Sequence, residues 1–446
     1  MRARIDAEYL TQIAERGGVI AAVLVGAIAR IALTSVQYDW TAAPTYGDDV
    51  SYVHYANVLL QTGELESHHF PVGYPLFVAF WLKLTGGFLA IRLSHVALSA
   101  WTIALVEKVT AHLYGRRAGL AAAWLTALYP PLMFMNGRIM SETLFIALLM
   151  YSLHRFLVAD RSGRMVDGAL AGGVFALSAL VRSNLLVMLP FVPLWQLWRL
   201  RSANGALSTV ESGAASGADA PGRSASQGKK KFSAVDLKQR LLLVVATGAV
   251  AGVIVLLPGL YFLEVKGEFI PSATNAGQTF YGANNPLADG GWVQMEDHQE
   301  YLATIAPEVR KKATAYSKAQ FQLGFQWIRQ NPGAFLRLLP KKFGNAWVPG
   351  FQSSETTRSS KLASLVLIAV NLPLLLAALA GRVLNRPRAR DGLLLAVLAT
   401  YTLLSLAFYG NPRIGLFCSP ILIVYAASWL NRFVRDEARV AAPVPG

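Results

Sequence analysis

An all-α polytopic membrane protein is the fold class this sequence predicts, and three observations predict it. Hydrophobic residues make up 54% of the 446-residue chain, charged residues only 15%, and the mean hydropathy is +0.39. A soluble domain carries about 25% charged residues. Several stretches run for about 17–25 residues with almost no charge, the length a helix needs to cross roughly 30 Å of hydrocarbon. The strands of a membrane barrel would be short and alternating instead.

Ten spans follow from these runs: 17–37, 88–113, 117–134, 141–159, 166–181, 184–199, 241–262, 361–381, 392–409 and 413–431. The first lies behind a polar stretch holding Arg2, Arg4 and Arg16 and is read as a retained helix, because a cleaved signal peptide has a shorter apolar core with a soluble domain behind it. With the N-terminus inside, the cytoplasmic connections hold Arg116 and Arg117, Arg161 and Arg164, the 199–240 segment, and Arg382, Arg386, Arg388 and Arg390. The tail adds Arg432, Arg435 and Arg439. This is the positive-inside pattern. Most of the formal net charge of +15 follows topology in this way, so no nucleic-acid partner is expected. The lone cysteine, Cys418, excludes internal disulfides and any CxxC metal or redox site.

On the opposite side lie the first loop, 38–87, short turns at Arg138, Arg182 and Arg413, and a long segment, 263–360. The first loop sets Asp39, Asp48, Asp49, Glu64 and Glu66 against Lys83 alone. Residues 201–238 are rich in Gly, Ala and Ser and include Lys229-Lys230-Lys231, a composition that cannot bury enough apolar surface to fold by itself. They are expected to be a flexible cytoplasmic linker between an N-terminal transmembrane module, 1–200, and a C-terminal one, 239–446. Within the long segment, Asn331-Pro332 reads as an N-cap and first helical residue. Phe335, Leu338, Leu339 and Phe343 then form one stripe with Lys341 and Lys342 beside it, the pattern of a helix lying along the membrane interface and able to cover a cavity.

From Asp49 onward, Tyr52, Tyr55, Ala56, Leu59 and Leu60 recur at helical spacing, so Asp48 and Asp49 open an amphipathic helix just beyond the first span. One acid there suits an N-cap and the positive end of the helix dipole. Two acids beside the Tyr46-Gly47 turn point to chemistry as well. A carboxylate within hydrogen-bond reach can deprotonate an attacking hydroxyl, and a departing phosphate needs cations to stabilise it. Arg138, Arg182 and Arg413 stand at the outer ends of spans, against the orientation bias, which makes them candidate anion ligands. Interfacial snorkelling is the bland alternative. Glu142, near Arg138 at the start of the fourth span, is either a further active-site acid or a salt-bridge partner. His54, His68 and His69 lie near acids but not at metal-ligand spacing, so no cofactor is expected and a divalent cation is left open. The absence of a phosphate-binding glycine loop, a Ser-His-Asp order and an HExxH helix counts against ATP hydrolysis, serine hydrolysis and zincin chemistry.

These residues resemble a family. The Asp48-Asp49 pair after the first span, the Tyr and Ala that follow it, and Phe70-Pro71-Val72-Gly73-Tyr74-Pro75 look like the first outer loop of the polyprenyl-phosphate-sugar-dependent glycosyltransferases, the superfamily of the protein mannosyltransferases and aminoarabinose transferases. Ser141-Glu142, Tyr281-Gly282-Ala283-Asn284-Asn285-Pro286, the Trp327 to Trp347 run with Asn331-Pro332-Gly333 inside it, and Asn411-Pro412-Arg413 are similar to the same group, in matching order. The resemblance implies the type-C fold, with amphipathic helices in the first outer loop. It implies an inverting transfer in which Asp48, by position, serves as base or acceptor-orienting group, with Asp49, which stands where many relatives carry Glu, and Glu142 as the other candidate catalytic acids, the division of labour between Asp48 and Asp49 being left open. Arg138, Arg182, Arg413 and His69 are then expected to hold the donor phosphate, and Tyr52, Tyr74, Tyr281, Asn284 and Asn285 to contact substrate. Relatives that grip the phosphate with the lysine of a Lys-Pro pair differ, since Phe70-Pro71 stands there in this chain.

The expected function is thus transfer of a sugar from an undecaprenyl-phosphate donor to a lipid, glycan or protein acceptor at the periplasmic face of a bacterial inner membrane, with both termini cytoplasmic. A polymerase or ligase acting on polyprenyl-diphosphate-linked oligosaccharides is the alternative enzyme. A transporter would concentrate ionisable residues near the middle of its spans, whereas here they crowd the outer ends, with Glu107 and Lys108 nearer the inner side.

Overall fold

The computed structural model of the chain describes residues 2–45, 47–66, 69–199, 234–348, 358–385 and 391–440, and these contain helices but no strand. Most of the expected linker, 201–238, lies outside them, as do Tyr46 and His68. The first half comprises α1 (Arg2–Gln37), α2 (Asp48–Thr62), α3 (Gly73–Thr85), α4 (Leu89–Tyr114), α5 (Arg116–Ala127), α6 (Pro130–Phe134), α7 (Ser141–Ser162), α8 (Met165–Val181) and α9 (191–199). The second comprises α10 (Ala234–Lys266), α11 (Ala276–Ala283), the short turns α12 (Gln299–Leu302) and α13 (Pro307–Arg310), α14 (Ala313–Gln330), α15 (Pro332–Trp347), α16 (Arg358–Leu384), α17 (Gly392–Ala407) and α18 (Pro412–Val440).

Six of these helices carry a stretch long and apolar enough to cross a membrane: 13–37 of α1, α4, α7, 238–266 of α10, 365–384 of α16 and 412–432 of α18. A seventh is added if α5 and residues 130–137 count as one bent span. The chain is therefore a multi-pass membrane protein. Four of the ten expected spans take another form. The run 117–134 is bent by 52°, the runs 166–181 and 392–409 are the shorter apolar helices α8 and α17, and 184–199 is divided between a 3-10 helix (Ser183–Met188) and α9.

The bend has a local cause. Pro130 and Pro131 have no N–H to give to the carbonyls of Thr126 and Ala127 four residues back. Arg30 of α1 supplies both bonds: one guanidinium nitrogen donates to the Ala127 carbonyl at 2.8 Å and to that of Gly26 at 2.9 Å, and another donates to the Thr126 carbonyl at 3.1 Å. The Nε–H donates to Ser99 Oγ at 2.5 Å. This arginine is wholly buried, and a charge at such a depth is tolerated only where its donors are met in this way.

The two most enclosed spans are those of α18 and α7, with 83% and 72% of their apolar windows buried. Around them a core runs through Phe145, Phe156, Phe175, Tyr401, Phe417 and Tyr425. The C-terminal half docks onto α8 through a small-residue seam. A Cβ on Gly172 would lie 2.3 Å from the Thr247 carbonyl oxygen of α10, so only glycine permits that approach. At the start of α15 the helix begins at Pro332 as expected, but Asn331 does not cap it; its side-chain amide turns back to the Trp327 carbonyl at 3.1 Å. Lys342 also departs from the interfacial reading. It is wholly buried, donating to Asn284 Oδ1 at 2.8 Å.

Candidate active site

The acid pair is placed by a turn only glycine makes easily. Gly47 has φ +73°, which carries the chain into α2 with Asp48 and Asp49 in its first turn. The unpaired N–H groups there favour both carboxylates. Arg138 occupies an extended position between the 3-10 turn Met135–Gly137 and α7, and forks onto Asp49 at 2.7 and 3.3 Å. Arg92 of α4 holds this corner, donating to the carbonyls of Trp40, Ala42 and Gly137 at 2.8, 2.8 and 3.0 Å. The first loop and the Arg138 turn are thereby fixed to one helix.

Ser141 and Glu142 open α7 and are both buried. Arg182, extended at the end of α8, donates to Glu142 Oε1 at 3.0 Å and to Ser141 Oγ at 3.2 Å, while its plane rests on the Phe417 ring 4.3 Å away. Gly73 brings α3 against the carbonyl of Leu180 just before this arginine. Arg413 is the second residue of α18, behind Pro412, with its backbone N–H capped by Asn411 Oδ1 at 2.9 Å. A cation at the positive end of a helix dipole needs acidic neighbours. Arg413 has two: Asp48 Oδ2 at 2.6 Å and Glu142 Oε1 at 3.3 Å.

All six charged residues singled out in the sequence as acids or outer arginines therefore meet in two linked sets at one end of the bundle. One is the Asp49–Arg138 pair; the other is the chain Asp48–Arg413–Glu142–Arg182. Burial grades across them. The Asp49 and Glu142 side chains are 7% and 1% exposed, whereas those of Asp48 and Arg413 are 32% and 33% exposed. The accessible face thus offers a carboxylate and a guanidinium side by side. Three carboxylates balance three guanidiniums, and among the described residues no group of three or more His, Cys, Asp or Glu side chains is placed to hold a metal ion.

The remaining expected site residues divide. Tyr52 joins the cluster, its hydroxyl 3.3 Å from Ser141 Oγ, and burial pushes the phenol up to about 12, so it stays protonated at neutral pH. Tyr74 lies one layer beneath, wholly buried, edge-on to Tyr52 and hydrogen-bonded to His95 Nε2 at 3.1 Å. It supports the site rather than facing it. His69 lines a neighbouring cleft of about 420 Å³ with Lys266, Gln278, Tyr316 and Gln320. Burial lowers its pKa from 6.5, while the fields of Glu296 and Asp48 act the other way.

Tyr281, Asn284 and Asn285 are not brought to the cluster. The Asn284 amide donates to the carbonyls of Phe280 and Ala407 and accepts from Lys342; that of Asn285 donates to the carbonyls of Tyr281 and Gly282 and accepts from the Leu287 N–H. Tyr281 packs against Met295, Leu302 and Ile305. Turn chemistry uses these side chains, as an Asn-Asn-Pro run signals. Sequence reasoning missed Arg92, an arginine in the first turn of a span, although like the three it selected it lies at a span's end.

No family model matches the chain, and no curated protein matches it in sequence. Among solved structures, it is similar to the oligosaccharyltransferase of Archaeoglobus fulgidus in its apo form, with a TM-score of 0.55 at 14% identity over 97% of this chain and 52% of that one. The same oligosaccharyltransferase, AglB, in complex with an inhibitory peptide and a dolichol-phosphate gives 0.53 at 14% identity, over 96% and 52%. Its complex with Zn and sulfate gives 0.50 at 16% identity, over 95% and 50%. The chain thus spans about half the length of these structures and has the type-C fold of lipid-linked glycosyltransferases.

Proposed function

We propose that this chain is an inverting glycosyltransferase that moves a sugar from a polyprenyl phosphate, in bacteria undecaprenyl phosphate, to a hydroxyl of a lipid, glycan or protein. The observation that carries the reading is the meeting of Asp48, Asp49 and Glu142 with Arg138, Arg182 and Arg413 at the starts of the two most enclosed helices. A fold of the lipid-linked glycosyltransferases supports it. In the reaction, the acceptor oxygen attacks the anomeric carbon from the face opposite the phosphate and Asp48 takes the hydroxyl proton. The bond from that carbon to the phosphate oxygen breaks, its electron pair stays on the phosphate, and the guanidiniums stabilise the charge that develops there. Attack from the opposite face inverts the centre.

In this reading the protein sits in a bacterial inner membrane with the cluster at the periplasmic face and both termini in the cytoplasm. The shorter apolar helices α8 and α17 and the 184–199 segment complete ten crossings, and residues 201–238 join modules 1–200 and 239–446. His69, in the neighbouring cleft, then joins the arginines in holding the donor phosphate.

The test is Asp48→Asn. Transfer is lost while the protein remains folded in the membrane; a fully active variant refutes the assignment. Mass spectrometry of lipid-linked sugars in cells lacking the protein identifies the donor by the polyprenyl-phosphate sugar that accumulates. Release of a diphosphate carrier instead would transfer the case to a polymerase or ligase.

A further inference from the structure

The three guanidiniums of the cluster are not equally committed. Arg138 forks onto the buried Asp49 with two of its nitrogens. Arg182 is held on three sides, by Glu142, by Ser141 and by the Phe417 ring. Arg413 makes one point contact with each of two acids, through Nη1 to Asp48 and through Nε to Glu142, and its Nη2 reaches only the Met140 sulfur at 4.0 Å. A thioether is a weak acceptor, so among the described residues this strong donor is given no oxygen. Its side chain is also the most exposed of the three, at 33% against 24% for Arg138 and 16% for Arg182.

Asp48 is the other half of this contact. Its Oδ2 accepts from Arg413 Nη1 at 2.6 Å, so one oxygen of the carboxylate is already engaged. The residue placed to act as base is thus bound by the residue placed to bind phosphate. The cluster is charge-balanced without substrate, and Asp48–Arg413 is its most exposed ion pair, the one an entering phosphate reaches first.

We infer that Arg413 exchanges Asp48 for the donor phosphate, so that donor binding releases the base. This rests on the glycosyltransferase reading and adds an order to it. The phosphate oxygens take Nη1 and the open Nη2 of Arg413, while Glu142 keeps Nε. Asp48, freed, accepts the acceptor hydroxyl proton as the new glycosidic bond forms and the bond to the phosphate oxygen breaks. An acceptor that arrives first finds the base occupied, which protects the cluster from unproductive chemistry and makes the reaction sequential with donor first.

The exchange makes a prediction of sign. Removing the Asp48 charge deletes the phosphate's competitor, so Asp48→Asn binds undecaprenyl phosphate about fivefold or more tightly than the unaltered protein, the lower end of ordinary coupling between competing ligands. Native mass spectrometry of the full-length protein in detergent, titrated with undecaprenyl phosphate, reads this directly. Asp48→Ala is the second variant and carries the same expected sign. Arg413→Gln binds more weakly, and adding Asp48→Asn to it brings no gain. Unchanged or weakened binding in both Asp48 variants overturns the exchange while leaving the glycosyltransferase reading in place. Failure of the unaltered protein to bind the lipid phosphate at all overturns that reading, and the exchange with it.

Discussion

At the scale of single residues, Glu142 is the junction of the larger charged set. It is 1% exposed; its Oε1 accepts from Arg182 at 3.0 Å and pairs with Arg413 Nε at 3.3 Å. Glu142→Ala leaves two guanidiniums without their shared acid, and breaking a buried pair from one side costs roughly 3–5 kcal/mol. Thermal unfolding in detergent is expected to register that loss, whereas Glu142→Gln, which keeps an acceptor oxygen, falls between the two. Equal stability of Glu142→Ala and the unaltered protein would remove the junction role. The residues of this set were legible in the sequence because each was a charge at the edge of an apolar run: acids crowded after a span, arginines at the ends of others. The contacts of Tyr281, Asn284 and Asn285 were only partly legible. The Asn285 bonds are local, to Tyr281, Gly282 and Leu287, as an Asn-Asn-Pro run signals, but the Asn284 amide also donates to the Ala407 carbonyl 123 residues along the chain, which no local pattern records.

At the scale of elements, α15 was legible in its start and its apolar stripe but not in the fate of Lys342. A lysine beside a stripe reads as surface-seeking. Here the Nζ donates to Asn284 and lies 5.2 Å from the Phe335 ring centre. Burial pushes its ammonium down from 10.5 to about 8. Folding therefore disfavours the charged form. Between pH 8 and 10.5 the unfolded chain holds more protons than the native one, so stability gains with rising pH across that window and the penalty is full below it. Heat-induced unfolding followed from pH 7 to 10 should show this gain in the unaltered protein and lack it in Lys342→Met. Parallel profiles would mean that water reaches the ammonium. The spans divide in a similar way: uninterrupted runs such as α4, α7 and α10 were readable to within a few residues at their outer ends, while 117–134 was not, because a proline pair in an apolar run marks a break without giving its angle.

At the scale of the whole molecule, the type-C fold was legible only through the order of several weak motifs, since composition and run length establish a helical membrane protein and no more. The meeting of residues 48, 138, 142, 182 and 413 follows from packing that no run of apolar residues encodes. One device holds the first helix in that packing. Arg30 satisfies the two carbonyls that Pro130 and Pro131 leave open. Neither partner makes sense alone: without the prolines the arginine would be a stranded charge, and without the arginine the carbonyls would face hydrocarbon. Arg30→Met should cost roughly 1–3 kcal/mol for each stranded carbonyl, and far less in a chain where both prolines are alanine. Additive losses in that double-mutant cycle would break the link. If it holds, defects at Arg30 have their natural second-site suppressors a hundred residues downstream, and the two places can change in evolution only as a unit.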